Sequence, residues 1–182
     1  MANDLIDDIS RHDSIGLLSV TKGHLDIARI PVVEGPDWII PKSLILAITP
    51  YHERIWTYLW QGQEVFVYQL LPKEQQSDYL LVLESATDVH RVGLQIAGEV
   101  QFHSVRIADL KDADDEIYHQ TLATLYPKML ENIQAPAESE KLGYKTKVTE
   151  HDFVYQPVIL QDELCIIPNL DKLSHFLVDL DS

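Results

Sequence analysis

Short apolar runs alternate with turn-forming residues along most of the chain, and this pattern restricts the fold more than any other feature. Four pairs of runs have the character of β-hairpins, and they lie at 27–40, 58–71, 79–100 and 154–173. Because one hairpin cannot bury its own faces, several must close around each other. The pattern therefore predicts a mainly β protein with two similar small barrels or curled sheets.

The order of the hairpins indicates a weak internal duplication. Asp37 and Asp88 occupy comparable turns in the first and third hairpins. The fourth hairpin, with Gln161 and Asp162 at its turn, is similar to the second, which has Gln61 and Gly62 there. An alternation of two hairpin types predicts that the first and third correspond, as do the second and fourth.

One segment breaks the β pattern with residues at helical spacing. In "DADDEIYHQTLATLYPKMLENIQ", apolar residues recur every three or four positions, and four acidic residues crowd the start, where a helix dipole favours anions. We predict one principal helix from about Asp114 to Ile133, within an insert at about 112–134. Pro127 should kink or split it.

Composition indicates one ordinary globular domain. The 182 residues include 46% hydrophobic and 24% charged residues, typical of a folded chain. We expect a single domain over 1–182, with an N-terminal segment at 1–26 and the two β lobes at 27–173. The formal net charge of −15 disfavours nucleic acid and anionic membrane surfaces as partners.

The lone cysteine and the start of the chain indicate in which cellular compartment the protein works. Cys165 cannot form an internal disulfide, and its apolar neighbours favour a buried structural side chain. The sequence has neither a signal-peptide pattern nor a run of about 20 apolar residues. We expect a cytoplasmic protein without direct membrane insertion.

The search for catalytic chemistry gives little. Glycine-rich phosphate loops and zinc-protease motifs are missing, and the eight histidines are scattered, so we expect no metal, no cofactor and no enzyme activity. Ser85, Asp88 and His90 crowd one turn and make only a weak case for a hydrolase. The alternative function is a small-molecule-binding β-barrel whose aromatic residues, Trp56, Tyr58, Trp60, Phe66 and Tyr68, would cage a ligand.

The second hairpin, "YLWQGQEVFVYQLL", has two largely apolar faces. Side chains alternate along a strand, so Tyr58 and Trp60 point to one face and Leu59 to the other. Such a hairpin lies between two cores or offers one face to a partner. We expect Leu59 and Val67 to support the structure and the turn to reach solvent.

Four segments resemble the CheW-like coupling proteins of bacterial chemosensory arrays. The segments are "DWIIPKSLILAITPY", "YLWQGQEVFVYQL", "YLLVLESATDVHRVGLQIAGEVQFHSV" and "VILQDELCIIPNLDKL". Their order and spacing carry the resemblance more than any single residue. Within that family, the chain is most similar to the divergent ChpC-type adaptors of type IV pilus and twitching motility systems.

The resemblance implies both a fold and a way of working. It implies two small five-stranded β-barrel lobes that share a core, and no catalytic residues or cofactor. The implied partners are a CheA-type histidine kinase and the cytoplasmic tip of a chemoreceptor. Trp60, Gln61, Gly62 and Gln63 are then the candidate protein-binding residues, in a turn that faces the partner.

Overall fold

The computed structural model describes residues 20–21, 23–85, 91–117, 119–120, 123–124 and 154–179. Twelve strands lie in these ranges: β1 Val20–Thr21, β2 His24–Ile30, β3 Asp37–Pro41, β4 Ile45–Pro50, β5 Thr57–Trp60, β6 Gln63–Gln69, β7 Tyr79–Glu84, β8 Arg91–Ile96, β9 Gln101–Arg106, β10 Leu110–Asp112, β11 Val154–Leu160 and β12 Glu163–Pro168. Two 3₁₀ turns precede β4 and β10, at Lys42–Leu44 and Ile107–Asp109, and the helix α1 spans Leu170–Asp179.

The strands form two curled sheets, which confirms the mainly β fold. In the first sheet β2, β3, β12, β11 and β10 lie side by side in that order, and β1 and β9 both pair with β2. The second sheet has the order β4-β7-β8-β6-β5. The second sheet thus has the five strands expected of a lobe, and the first adds two strands to the same core pattern.

All four predicted hairpins form, but their correspondence differs from the predicted alternation. In each sheet a hairpin is joined to another by one parallel pair, β3 with β12 and β6 with β8. The first hairpin (β2–β3) therefore matches the second (β5–β6), and the third (β7–β8) matches the fourth (β11–β12). The alternation was wrong because similar turns report local backbone geometry, whereas position in a sheet depends on long-range pairing.

One apolar core lies between the sheets, and a second lies within the first sheet. Trp38 of the first sheet stacks on Tyr68 of the second, with ring centroids 6.1 Å apart and planes 9° from parallel. On the opposite face of the first sheet, Ile27 and Ile39 pack with Cys165. This burial raises the pKa of the Cys165 thiol, consistent with the predicted structural role.

Two helical regions flank the sheets. The predicted insert is helical at 115–117, 119–120 and 123–124, and the Ile117 N–H donates to Asp114 Oδ1 at 2.9 Å, which is the expected cap. The rest of the insert, including Pro127 and Ile133, lies outside the described residues.

Helix α1 was not predicted, because the fourth hairpin was expected to continue to Leu173. The strand instead ends at Pro168, and Asn169 starts the helix by accepting the Lys172 N–H at 3.1 Å. Leu170 and Leu173 are buried in the core between the sheets. No helix among the described residues is long and apolar enough to cross a membrane.

Two buried glutamines fix the loop that enters β5. Gln69 and Gln95 are fully buried neighbours on β6 and β8. Gln95 Oε1 accepts the Ile55 N–H at 3.0 Å, and its Nε2 donates to the Glu53 carbonyl at 2.7 Å. Gln69 Nε2 donates to the Ile55 carbonyl at 2.7 Å. These hydrogen bonds fix the backbone of the loop immediately before Trp56.

Val67→Asp should lower the free energy of unfolding by about 3–5 kcal/mol, because a charge would be buried without a partner. Val67 is buried on the inner face of the second sheet, against Gly93. Urea unfolding measures the change, and Leu59→Asp at an exposed position is the control. Equal, small losses for both variants would contradict the burial of Val67.

Gln95→Leu should lower the free energy of unfolding by about 3 kcal/mol, since the Ile55 N–H and Glu53 carbonyl would lose a buried partner. Gln101→Leu, at an exposed position of β9, should change it by less than about 0.5 kcal/mol. Thermal and urea unfolding of both variants compare these effects. A Gln95→Leu variant as stable as the native protein would show that the network contributes little.

Candidate partner-binding surface

The predicted binding residues lie at the outer end of the second sheet, in the turn between β5 and β6. Gln61 and Gly62 have φ angles of 49° and 79°, the left-handed backbone of a tight two-residue hairpin turn. A Cβ on Gly62 would meet no atom within 4 Å, so glycine serves the backbone angle rather than a close approach. Both residues are exposed, and the turn projects into solvent as predicted.

Arg91 holds the other two predicted residues. Its guanidinium carbon lies 5.2 Å from the centroid of the Trp60 ring, and its Nη1 donates to Gln63 Oε1 at 2.5 Å. Sequence reasoning missed Arg91 because it lies 28 residues from Gln63 along the chain. The parallel pairing of β6 with β8 brings the two together. Trp60 and Gln63 therefore form a fixed base from which Gln61 and Gly62 project.

Two apolar side chains are exposed along the strand that enters this turn and just before it. Leu59 of β5 is 71% exposed and Trp56, just before β5, is 44% exposed. The expectation that Leu59 supports the interior was wrong. Leu59 pairs with the exposed Glu64 on the outer face of β5, whereas Tyr58 pairs with the buried Val65. Since β5 is the last strand of its sheet, Leu59 has a neighbouring strand on one side only, and no strand in the described residues covers it from the other.

The aromatic residues of this region do not gather into a pocket. Tyr58 makes an edge-to-face contact with Tyr51, with ring centroids 5.9 Å apart. Tyr68 belongs to the core between the sheets, and Trp60 faces Arg91. Because these rings have separate surroundings, the structure disfavours the aromatic cage of the small-molecule alternative.

Other chemical groupings in the described residues are few. A shallow open cleft of about 290 Å³ lies on the first sheet, lined by residues that include Lys111, Asp109 and Asp162. Among the described residues, no three His, Cys, Asp or Glu side chains are grouped as metal ligands. Of the weak hydrolase candidate, Ser85 is buried, and Asp88 and His90 lie outside the described residues.

No family model and no curated protein match the chain. The chain is similar in structure to the scaffolding protein TtCheW from Thermoanaerobacter tengcongensis, at 11% sequence identity and a TM-score of 0.49. The similarity covers 79% of this chain and 87% of TtCheW.

Proposed function

We propose that the chain is a non-catalytic adaptor that couples chemoreceptors to a CheA-type histidine kinase. One observation carries the proposal: Leu59 and Trp56 are exposed on and beside an edge strand, next to a turn that projects into solvent. Large apolar side chains exposed along a sheet edge invite association, and monomeric proteins usually cover or charge such edges. The surface therefore suits a protein that works by binding others.

The chemistry of this surface fits a protein partner. Tryptophan is frequent among the residues that dominate binding energy in protein interfaces, and polar residues commonly surround such anchors. Here Trp56 and Leu59 would be the anchors, and Gln61 and Gln63 would belong to the polar rim. The net charge of −15 favours a basic partner surface and makes association faster at low salt.

The sequence resemblance supports the identity of the partners. The four segments similar to CheW-like coupling proteins span most of 27–173, and the turn at Trp60 to Gln63 belongs to one of them. The proposed partners are a CheA-type kinase and the cytoplasmic tip of a chemoreceptor, in the cytoplasm. Similarity to ChpC-type adaptors favours a system that controls type IV pili and twitching motility over one that controls swimming chemotaxis.

Trp56→Ala combined with Leu59→Ala should weaken capture of the cognate CheA-type kinase or receptor tip by at least about tenfold, because both anchors are removed. Biolayer interferometry with immobilised protein measures the affinity. Phe102→Ala is the matched control, since Phe102 is 47% exposed but lies on the first sheet. Weakening by the control alone would place the docking surface elsewhere, and failure of the native protein to capture either partner would refute the adaptor function.

Gln61→Glu with Gln63→Glu tests the turn itself. The melting temperature should hardly change, because both positions are exposed and the new carboxylate that replaces the Gln63 amide could keep the contact with Arg91 as an ion pair. Capture should weaken several-fold, because a carboxylate lacks the N–H donors of the glutamine amide and costs more to desolvate in an interface, and this local loss should exceed the added attraction to a basic partner.

A matched control exists in the first sheet. Gln161 has a φ of 52°, against 49° for Gln61, and occupies the same position in the β11–β12 turn. Gln161→Glu should therefore leave capture unchanged. Equal effects of the two turns would show a general charge effect rather than a contact.

A further inference from the structure

The two sheets share a strand pattern but differ at one edge. In the first sheet β9 covers the outer edge of β2, pairing with it over six residues from His24–Arg106 to Arg29–Gln101. The strand that corresponds to β2 in the second sheet is β5, since each is the first strand of the hairpin beside the parallel pair. In the described part of the chain no strand lies beside β5 at the place that β9 occupies beside β2.

The backbone of this edge is arranged to accept a strand. Val67 donates its N–H to the Trp56 carbonyl at 2.8 Å, and hydrogen-bonded residues alternate along an antiparallel pair. Tyr58 and Trp60 therefore direct their backbone groups toward β6. Thr57 and Leu59 direct theirs away from it, so two N–H groups and two carbonyls face outward, and both residues are exposed.

We propose that an extended segment of a partner protein, carrying an apolar residue and a basic residue two positions apart and so on one face, adds as a strand to β5 in the position equivalent to β9. The proposal deepens the adaptor function and rests on it for the partner's biological identity, but not for the chemistry of binding. Strand addition of this kind takes affinity from backbone bonds and specificity from alternate side chains.

The side chains around the edge indicate what the segment carries. An apolar residue opposite Leu59 would cover a side chain that is 71% exposed. Glu64 lies opposite Leu59 on the other side, on the same outer face, and is exposed. A lysine or arginine two positions from that apolar residue lies on the same face, and its side chain can cross β5 to this carboxylate because neighbouring strands are only about 4.8 Å apart.

Net charge also favours a different protein over a second copy of this chain as the occupant of the β5 edge. Pairing of two β5 edges would bring together two chains that each carry −15, with Glu64 from both copies near the contact. A basic segment meets the opposite field and is favoured.

The test uses the whole protein and a capped seven-residue peptide in which valine and lysine alternate along one face and threonine occupies the other. With saturating peptide, NMR-detected hydrogen exchange should slow at least tenfold at the amides of Thr57 and Leu59. The amides of Tyr58 and Trp60, already bonded to β6, should change little. Unchanged exchange at Thr57 and Leu59 would overturn the proposal, and this measurement requires no variant.

Two variants distinguish the contribution of the Leu59 backbone N–H to binding from that of the Leu59 side chain. Leu59→Pro removes an outward N–H without removing a bond to β6, which is the position where an edge strand accepts proline. It should weaken peptide binding at least tenfold, whereas Leu59→Ala keeps the N–H and should weaken it less. Far-UV circular dichroism and the unfolding midpoint check that both variants fold. A folded Leu59→Pro variant that binds like the native protein would overturn strand addition.

The remaining outcomes test the choice of occupant. The same peptide with glutamate in place of lysine should bind at least tenfold more weakly, and equal binding would overturn the basic character of the partner. Concentration-dependent dimers with slowed exchange at Thr57 and Leu59 in the absence of peptide would assign the edge to a second copy. Peptide binding without capture of kinase or receptor would refute the adaptor function and leave strand addition standing, and capture without peptide binding would do the reverse.

Discussion

The stack of Trp38 on Tyr68 joins the two sheets, and the rest of the structure depends on the core around it. Each sheet is apolar on both faces, as the continuously buried run Leu80–Leu83 shows. A sheet of this kind needs cover on both sides. Curling covers the inner face, and the opposing sheet with α1 covers the outer one. Neither sheet alone could bury both faces, so each lobe depends on the other to cover its outer face.

At the equivalent end of each sheet, one arginine side chain contacts residues of neighbouring strands. Arg29 donates to Asp37 at 2.7 Å and contacts Glu163, which begin β3 and β12, and these carboxylates raise the pKa of the guanidinium. In the second sheet the same places are held by Gln63 and Arg91, which begin β6 and β8. The arginine lies on β2 in the first sheet and on β8 in the second, and in both sheets it joins the strands at the same end. The turn of the second sheet is also the more exposed of the two: Gln61 and Gly62 are exposed, whereas residues 31–36 are mostly half-buried.

Local sequence patterns predicted the local structure correctly. The features that they did not predict depend mostly on pairing between strands far apart in sequence. The hairpins, the projecting turn and the Asp114 cap follow from residues adjacent in sequence. Leu59 was misplaced because alternation gives opposite faces but not which face is covered. Arg91 was missed because only the parallel pair β6–β8 brings it to Gln63. The short α1 resembled the end of a hairpin, since Asn169 caps a helix and terminates a strand equally well.

The free edge of β5 is a consequence of how the chain connects its two sheets. A strand precedes each 3₁₀ turn: β9 leads to β10, and β3 leads to β4. β9 stays in the sheet that its successor joins, and there it covers β2. β3 instead remains in the first sheet, paired with β2 and β12, while its successor β4 enters the second. Among the described strands, the second sheet therefore has none that covers β5. Such an edge is tolerable because β5 is short, with four residues, and short edge strands resist uncontrolled pairing. The same shortness limits a partner to the outward groups of Thr57 and Leu59, so that selectivity has to come from the side chains beside them.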